Sequence, residues 1–161
     1  MKSILFVCHG NICRSPMAEF IAKRLVRRAG LEAEFEIESA ATSSEEVGNP
    51  VYPLAKRKLA EHGIGCPGKT ARQLTADEYG RWDLIVAMDA ANMQNLLNLF
   101  GGDPDGKCSL LLSHTPSTDT EHHNRDVADP WYTRNFDAAW DDIDVGCHAL
   151  IERLMAEMPE Q

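Results

Sequence analysis

Residues 3–7, SILFV, form an uncharged apolar run, and the chain turns polar immediately after it. A short continuous apolar run of this kind predicts a strand buried on both faces. From Pro16 onward, Met17, Phe20, Ile21, Leu25 and Val26 recur at helical spacing, and Gly30 closes the segment. EFEIES (34–39) alternates like a strand. Pro53 opens a helix through Leu54, Lys58, Leu59 and His62, with Gly63 as its stop. Thr75-Ala76-Asp77-Glu78 has the form of a capping box, predicting a short helix that ends at Gly80. LIVAM (84–88) reads as another buried strand, and Asp89 as the cap of a helix carrying Met93, Leu96, Leu97 and Phe100. CSLLL (108–112) predicts a fourth strand. Phe136, Trp140, Ile143, Cys147, Leu150, Ile151, Leu154 and Met158 mark a long final helix.

Apolar strands alternating with helices predict the α/β class. The expected architecture is a single domain over 1–161, three-layer α/β/α, with a four-stranded parallel sheet and about five helices. A strand order of 2-1-3-4 is expected. Residues 113–134 break the rhythm, with no periodicity. A loop this long is usually functional, and this one holds ADPWY (128–132).

Composition narrows the function. Hydrophobic residues make 43% and charged residues 25%, as in ordinary soluble proteins. No segment reaches the ~18 apolar residues of a membrane span. MKSILFVCHG has too short an apolar run, and no cleavage site, to be a signal peptide. Five irregularly spaced cysteines make a poor disulfide framework and fit a reducing compartment. A cytoplasmic location is expected, with Cys108 and Cys147 as core residues. The net charge of −9 argues against nucleic acid and membrane partners. Residues 1–30 nevertheless carry six bases against one acid, so a local anion site there is compatible with the acidic whole. Lys23, Arg24, Arg27 and Arg28 are expected as a solvated helix face.

CHGNICRSP (8–16) joins the first strand to the first helix. In a doubly wound sheet this is where ligands bind. Such a loop turns several N–H groups inward as an anion nest, and the helix N-terminus adds positive potential. Gly10 and Asn11 tolerate the left-handed backbone a nest needs. Pro16 suits the first helical turn. Arg14 can grip two phosphate oxygens. Cys8 faces this field, which favours its thiolate, and Ser15 can donate a hydrogen bond to it. The loop therefore unites a nucleophile with an oxyanion clamp and calls for no metal or other cofactor. Asp129 is the candidate general acid, and Trp131-Tyr132 can wall a slot for a flat substrate. Cys8 and Cys13 lack both the spacing and the extra ligands of a zinc knuckle, and they are not a Cys-x-x-Cys redox pair.

VCHGNICRSPMAE resembles the signature of the low-molecular-weight protein tyrosine phosphatases. DPWY is similar to that family's general-acid loop, and IESAATSSEEVGNPVYPLA, HGI, KTARQL and DLIVAMD follow in family order. The resemblance implies Cys8 as nucleophile, Arg14 as phosphate-binding arginine and Asp129 as general acid. It implies Ser15 as the thiolate's hydrogen-bond donor, Asn11 as the residue holding the loop, and Ser39 as its support. It implies Cys13 as a second loop cysteine that forms a reversible disulfide with Cys8. His9, Gly10 and Ile12 complete the loop, His9 with no assigned role. Glu45 and Glu46 stand where relatives often carry an aromatic residue at the cleft rim, and Tyr52 follows. Lys69 replaces a family histidine, with loss of its supporting hydrogen bonds expected.

The implied activity is hydrolysis of protein phosphotyrosine, and of small aryl phosphates, through a phosphocysteine. The expected partners are a phosphotyrosine protein or peptide, and phosphate- or vanadate-type anions at the loop. A monomer or weak dimer is expected. Asp129 must start protonated, and free aspartate titrates near ~3.9, so an acidic optimum is expected. Three rival functions are weighed. An arsenate reductase needs two relay cysteines, which residues 80–95 lack. Protein-arginine phosphatases typically have Thr where Ile12 stands. A catalytically silent phosphoprotein-binding module would lose Cys8 or Asp129, and both are present.

Overall fold

The computed structural model describes residues 1–159. Strands β1 (Lys2–Cys8), β2 (Phe35–Ala41), β3 (Leu84–Ala87) and β4 (Cys108–Leu110) form a parallel sheet in the order β2-β1-β3-β4. Among the described residues the α-helices are α1 (Arg14–Arg28), α2 (Pro53–Glu61), α3 (Ala90–Phe100), α4 (Pro130–Thr133) and α5 (Phe136–Ala156). The expected three-layer α/β/α fold and strand order are thus observed.

The strand pleat sorts the core. Ile4, Phe6 and Cys8 of β1 join a cluster with α1, α2 and α5, whereas Leu5 and Val7 join Trp82, Ile85 and Leu96 on the α3 side. Each fully buried Leu, Ile or Phe contributes about 1.5–3 kcal/mol, so both layers hold β1 in place. At the β2 edge, Phe35, Ile37 and Ser39 are buried while Glu36 and Glu38 meet Arg81 at 2.5 and 3.4 Å. Because β2 and β3 flank β1, the strand order reverses at β1, and its carboxyl end opens a crevice. Cys8 ends β1 at that crevice, and Asp89 lies two residues beyond the end of β3.

Local differences from expectation have physical causes. The Thr75 capping box forms, but the turn it starts, Ala76–Gly80, is a 3-10 helix. β4 stops at Leu110, and Leu111–His114 form a 3-10 turn. Leu111 and Leu112 are apolar because α5 covers them: a Cβ on Gly146 would lie 2.5 Å from Leu111 Cγ. The segment 113–134 contains α4, too short for its period to be read. Cys147 is buried as expected, but Cys108 is only partly buried, against the α3-side cluster. Lys23 and Arg24 are half-buried rather than solvated: Lys23 pairs with Glu19 at 2.6 Å and Arg24 donates to the His62 carbonyl. No helix among the described residues is long and apolar enough to cross a membrane.

Candidate active site

Cys8 sits at the end of β1, 3% exposed. The chain then turns through Asn11, whose φ of +58° is the left-handed value only Gly, Asn and Asp adopt readily. The left-handed residue is Asn11 and not Gly10, whose role is spatial: a Cβ there would stand 3.4 Å from Glu46 Cγ. Asn11 is held by its side chain. Its Nδ2 donates to Ser15 Oγ (2.8 Å) and to Ser39 Oγ (2.9 Å), and its Oδ1 accepts from Arg72 N (3.2 Å). Because Ser15 Oγ accepts from Asn11, its own proton is free for Cys8 Sγ, 3.0 Å away. Asn11 N also donates to Cys8 Sγ at 3.3 Å. Two donors therefore converge on one sulfur, an arrangement suited to a thiolate. The start of α1 has neither a side-chain cap nor an acid in its first turn, which leaves its N-terminal N–H groups for an anion.

Arg14, the first residue of α1, is 2% exposed and firmly held. Its Nη1 donates to Asp89 Oδ2 (2.6 Å) and to the Val127 carbonyl (2.8 Å), and its Nη2 to Asp129 Oδ2 (3.3 Å). Burial disfavours its charge, but Cys8, Asp129 and Asp89 outweigh that and leave its pKa above the usual guanidinium value. Val127 N donates to the Met88 carbonyl at 2.8 Å, which ties the long loop to the end of β3. Asp129 caps α4, its Oδ1 accepting from Trp131 N at 3.0 Å. Burial, aided by Cys8 and Asp129 against Arg14 and Arg134, pushes the Cys13 thiol up to about 12.

Cys8, His9, Gly10, Ile12, Cys13, Arg14 and Asp129 line one cleft, and Glu45, Glu46, Trp131 and Tyr132 line it with them. Asn11, Ser15 and Ser39 lie buried around the loop and not on the cleft surface. Tyr52, expected in the cleft, stands behind it. Its ring meets Trp131 edge-on at 5.0 Å, its hydroxyl accepts from Arg134 at 2.8 Å, and its N–H donates to the Ile12 carbonyl at 2.8 Å. It braces the wall that Trp131 presents. His9 gains a partner in Glu45, 2.9 Å from Nε2.

The Lys69 expectation is overturned. Lys69 Nζ reaches the Ser39 carbonyl (2.9 Å) and Glu19 Oε1 (3.5 Å), while Ser39 Oγ donates to Glu19 at 2.5 Å. The longer lysine thus supplies support where loss was expected. Burial pulls its pKa below the ordinary lysine value, with Glu19 opposing. Glu19, read only as the acid of a basic segment, and Asp89, read only as a helix cap, are site residues that sequence reasoning missed. A buried acid on the apolar face of α1 was the available signal for Glu19. Among the described residues no cluster of three or more His, Cys, Asp or Glu is arranged to hold a metal ion.

Chemically, this cleft can seat a tetrahedral anion between a sulfur, helix-start N–H groups and a guanidinium, with a carboxyl group facing it. A profile of the family described as low molecular weight phosphotyrosine protein phosphatase matches residues 3–160. The low molecular weight protein-tyrosine-phosphatase YfkJ of Bacillus subtilis is 37% identical over 157 residues, covering 98% of each chain. Its crystal structure superposes with a TM-score of 0.93, covering 99% of this chain and 98% of YfkJ. The low molecular weight phosphotyrosine protein phosphatase of Gallus gallus is 34% identical, covering 95% and 96% of the two chains. The crystal structure of SP-PTP from Streptococcus pyogenes aligns with a TM-score of 0.84 at 35% identity, covering 98% and 95%.

Proposed function

Because the chain belongs to the low molecular weight phosphotyrosine protein phosphatase family, we propose that it hydrolyses protein phosphotyrosine and small aryl phosphates through a phosphocysteine formed on Cys8. The observation that carries this reading is the convergence of Ser15 Oγ and Asn11 N on Cys8 Sγ, in the same cleft as Arg14 and Asp129.

The Cys8 thiolate attacks phosphorus in line with the scissile P–O bond. The S–P bond forms as the P–O bond breaks, and the leaving phenolate takes its proton from Asp129. Arg14 and the loop N–H groups hold the three equatorial oxygens, so most of the rate comes from positioning and charge stabilisation. Ser15 then stabilises Cys8 as leaving group. Asp129 removes a proton from water, the water oxygen attacks phosphorus, and phosphate departs as the thiolate is restored. Asp89 and the Val127 carbonyl keep Arg14 aimed at the equatorial oxygens. The chain acts as one phosphatase domain in the cytoplasm.

The decisive experiment is turnover of p-nitrophenyl phosphate in the presence of EDTA. Wild type is expected to be active and inhibited by vanadate, and Cys8→Ser to lose several orders of magnitude of kcat. Asp129→Asn loses about 10²–10⁴-fold, the usual contribution of a general acid. Full activity of Cys8→Ser would overturn the reading.

A further inference from the structure

Two carboxylates, Glu45 and Glu46, line the cleft together with the exposed rings of Trp131 and Tyr132. The Glu45 side chain is 68% exposed, and its Oε2 meets His9 Nε2 at 2.9 Å. Against a carboxylate acceptor the ring nitrogen is the donor, so His9 fixes Glu45 at the mouth. Glu46 packs against Gly10, and its Oε2 accepts from Asn49 Nδ2 at 2.6 Å. Among the described residues no lysine or arginine pairs with either carboxylate. Arg134, just beyond α4, is engaged with the Tyr52 hydroxyl and lies over the rings of Tyr52, Trp131 and Phe136 at 5.5, 5.9 and 5.7 Å. Two carboxylates that no lysine or arginine neutralises therefore face whatever lies beside the phosphorylated residue.

A phosphotyrosine whose phosphate reaches the Cys8 loop leaves its own backbone and its neighbours at this rim. We propose that Glu45 and Glu46 select phosphotyrosines flanked by lysine or arginine and disfavour those flanked by acids. This deepens the phosphatase reading above and rests on it. Exposed charge pairs contribute modestly, so the preference is a ratio rather than an absolute filter.

The test compares kcat/KM for three phosphotyrosine peptides of one length, with Lys, Ala or Asp on both sides of the phosphotyrosine. For wild type the expected order is Lys, then Ala, then Asp, with about fivefold between the extremes, equivalent to about 1 kcal/mol. That ratio shrinks as salt is added. In the double variant Glu45→Gln/Glu46→Gln it collapses to less than twofold. A control removes two acids elsewhere, Asp141→Asn/Glu157→Gln, both exposed, and keeps the wild-type ratio. Equal rates on all three peptides, or an unchanged ratio in the rim variant, would overturn the proposal. So would an equal collapse in the control, which would trace the effect to the overall net charge. Failure to turn over any of the peptides would instead count against the phosphatase reading itself.

Discussion

Lys69 Nζ donates to the Ser39 carbonyl at 2.9 Å, which joins it to the scaffold that holds Asn11 in its left-handed turn. The same ammonium neutralises Glu19, a carboxylate only 4% exposed. Removing it leaves a buried charge with Lys23, at the helix surface, as its remaining ionic partner. Lys69→Met is expected to cost about 3 kcal/mol of stability, the scale for breaking a buried pair, seen as a lower urea midpoint. Glu19→Gln/Lys69→Met removes both charges and is expected to recover part of that loss. No recovery in the double variant would mean that Lys69 acts through packing alone.

Asp89 does two separable things. Its Oδ1 accepts from Asn92 N at 2.8 Å and caps α3, while its Oδ2 grips Arg14. Asp89→Ser keeps a cap but cannot reach the guanidinium, and Asp89→Ala loses both functions. The serine variant is therefore expected to be about 1 kcal/mol more stable than the alanine variant. Both are expected to lose the same share of kcat on p-nitrophenyl phosphate. Near-wild-type kcat in the serine variant would remove Asp89 from the site.

His114 links stability to pH. Burial, with Arg153 adding, lowers its pKa to about 4, and its Nε2 lies 2.8 Å from Ser109 Oγ. An unfolded histidine titrates near ~6.5. Between those values the unfolded chain binds a proton that the folded chain refuses. The His114 contribution is thus intact above pH 6.5 and is lost as pH falls toward 4. From pH 7 to pH 5 this amounts to about 2 kcal/mol, with other groups adding their own terms. His114→Gln should lose that much less over the same interval in urea unfolding. Identical losses in the two proteins would refute the link.

The nest was legible because its chemistry is local: Cys8 through Pro16 are contiguous, and each residue type has a reason within the loop. The strand order and layers were legible because the apolar runs are continuous and the helical spacing is regular. What stayed hidden depends on contacts between distant segments. Asp89 looked fully explained as a cap, and nothing in the sequence signals that its second oxygen is free for Arg14. Lys69 looked like a loss because side-chain length matters only once Ser39 and Glu19 are known to lie within its reach. Tyr52 looked like a cleft residue because it follows Glu45 and Glu46 in the sequence, yet its ring packs on Trp131 and its hydroxyl on Arg134 behind the wall.

Cys13 sets a prediction about oxidation. Peroxide is expected to convert the Cys8 thiolate to a sulfenic acid, with water as the other product. The Cys13 sulfur is then expected to attack that sulfur, so that an S–S bond forms and the sulfenic oxygen leaves as water. Cys13 reacts as its thiolate, and burial, the largest cause of its raised pKa, keeps it protonated in the neutral range. Below its pKa the thiolate fraction rises about tenfold per pH unit. Disulfide closure therefore gains on further oxidation of Cys8 as pH rises. After a fixed peroxide dose, the share of activity recovered by dithiothreitol is expected to be larger at pH 8 than at pH 6. In Cys13→Ser that recovery is expected to be smaller, and its rise with pH absent. Iodoacetamide at pH 7, followed by peptide mapping, should mark Cys8 and spare Cys13, with phosphate protecting Cys8. Equal recovery in wild type and Cys13→Ser would show that Cys13 does not guard the nucleophile.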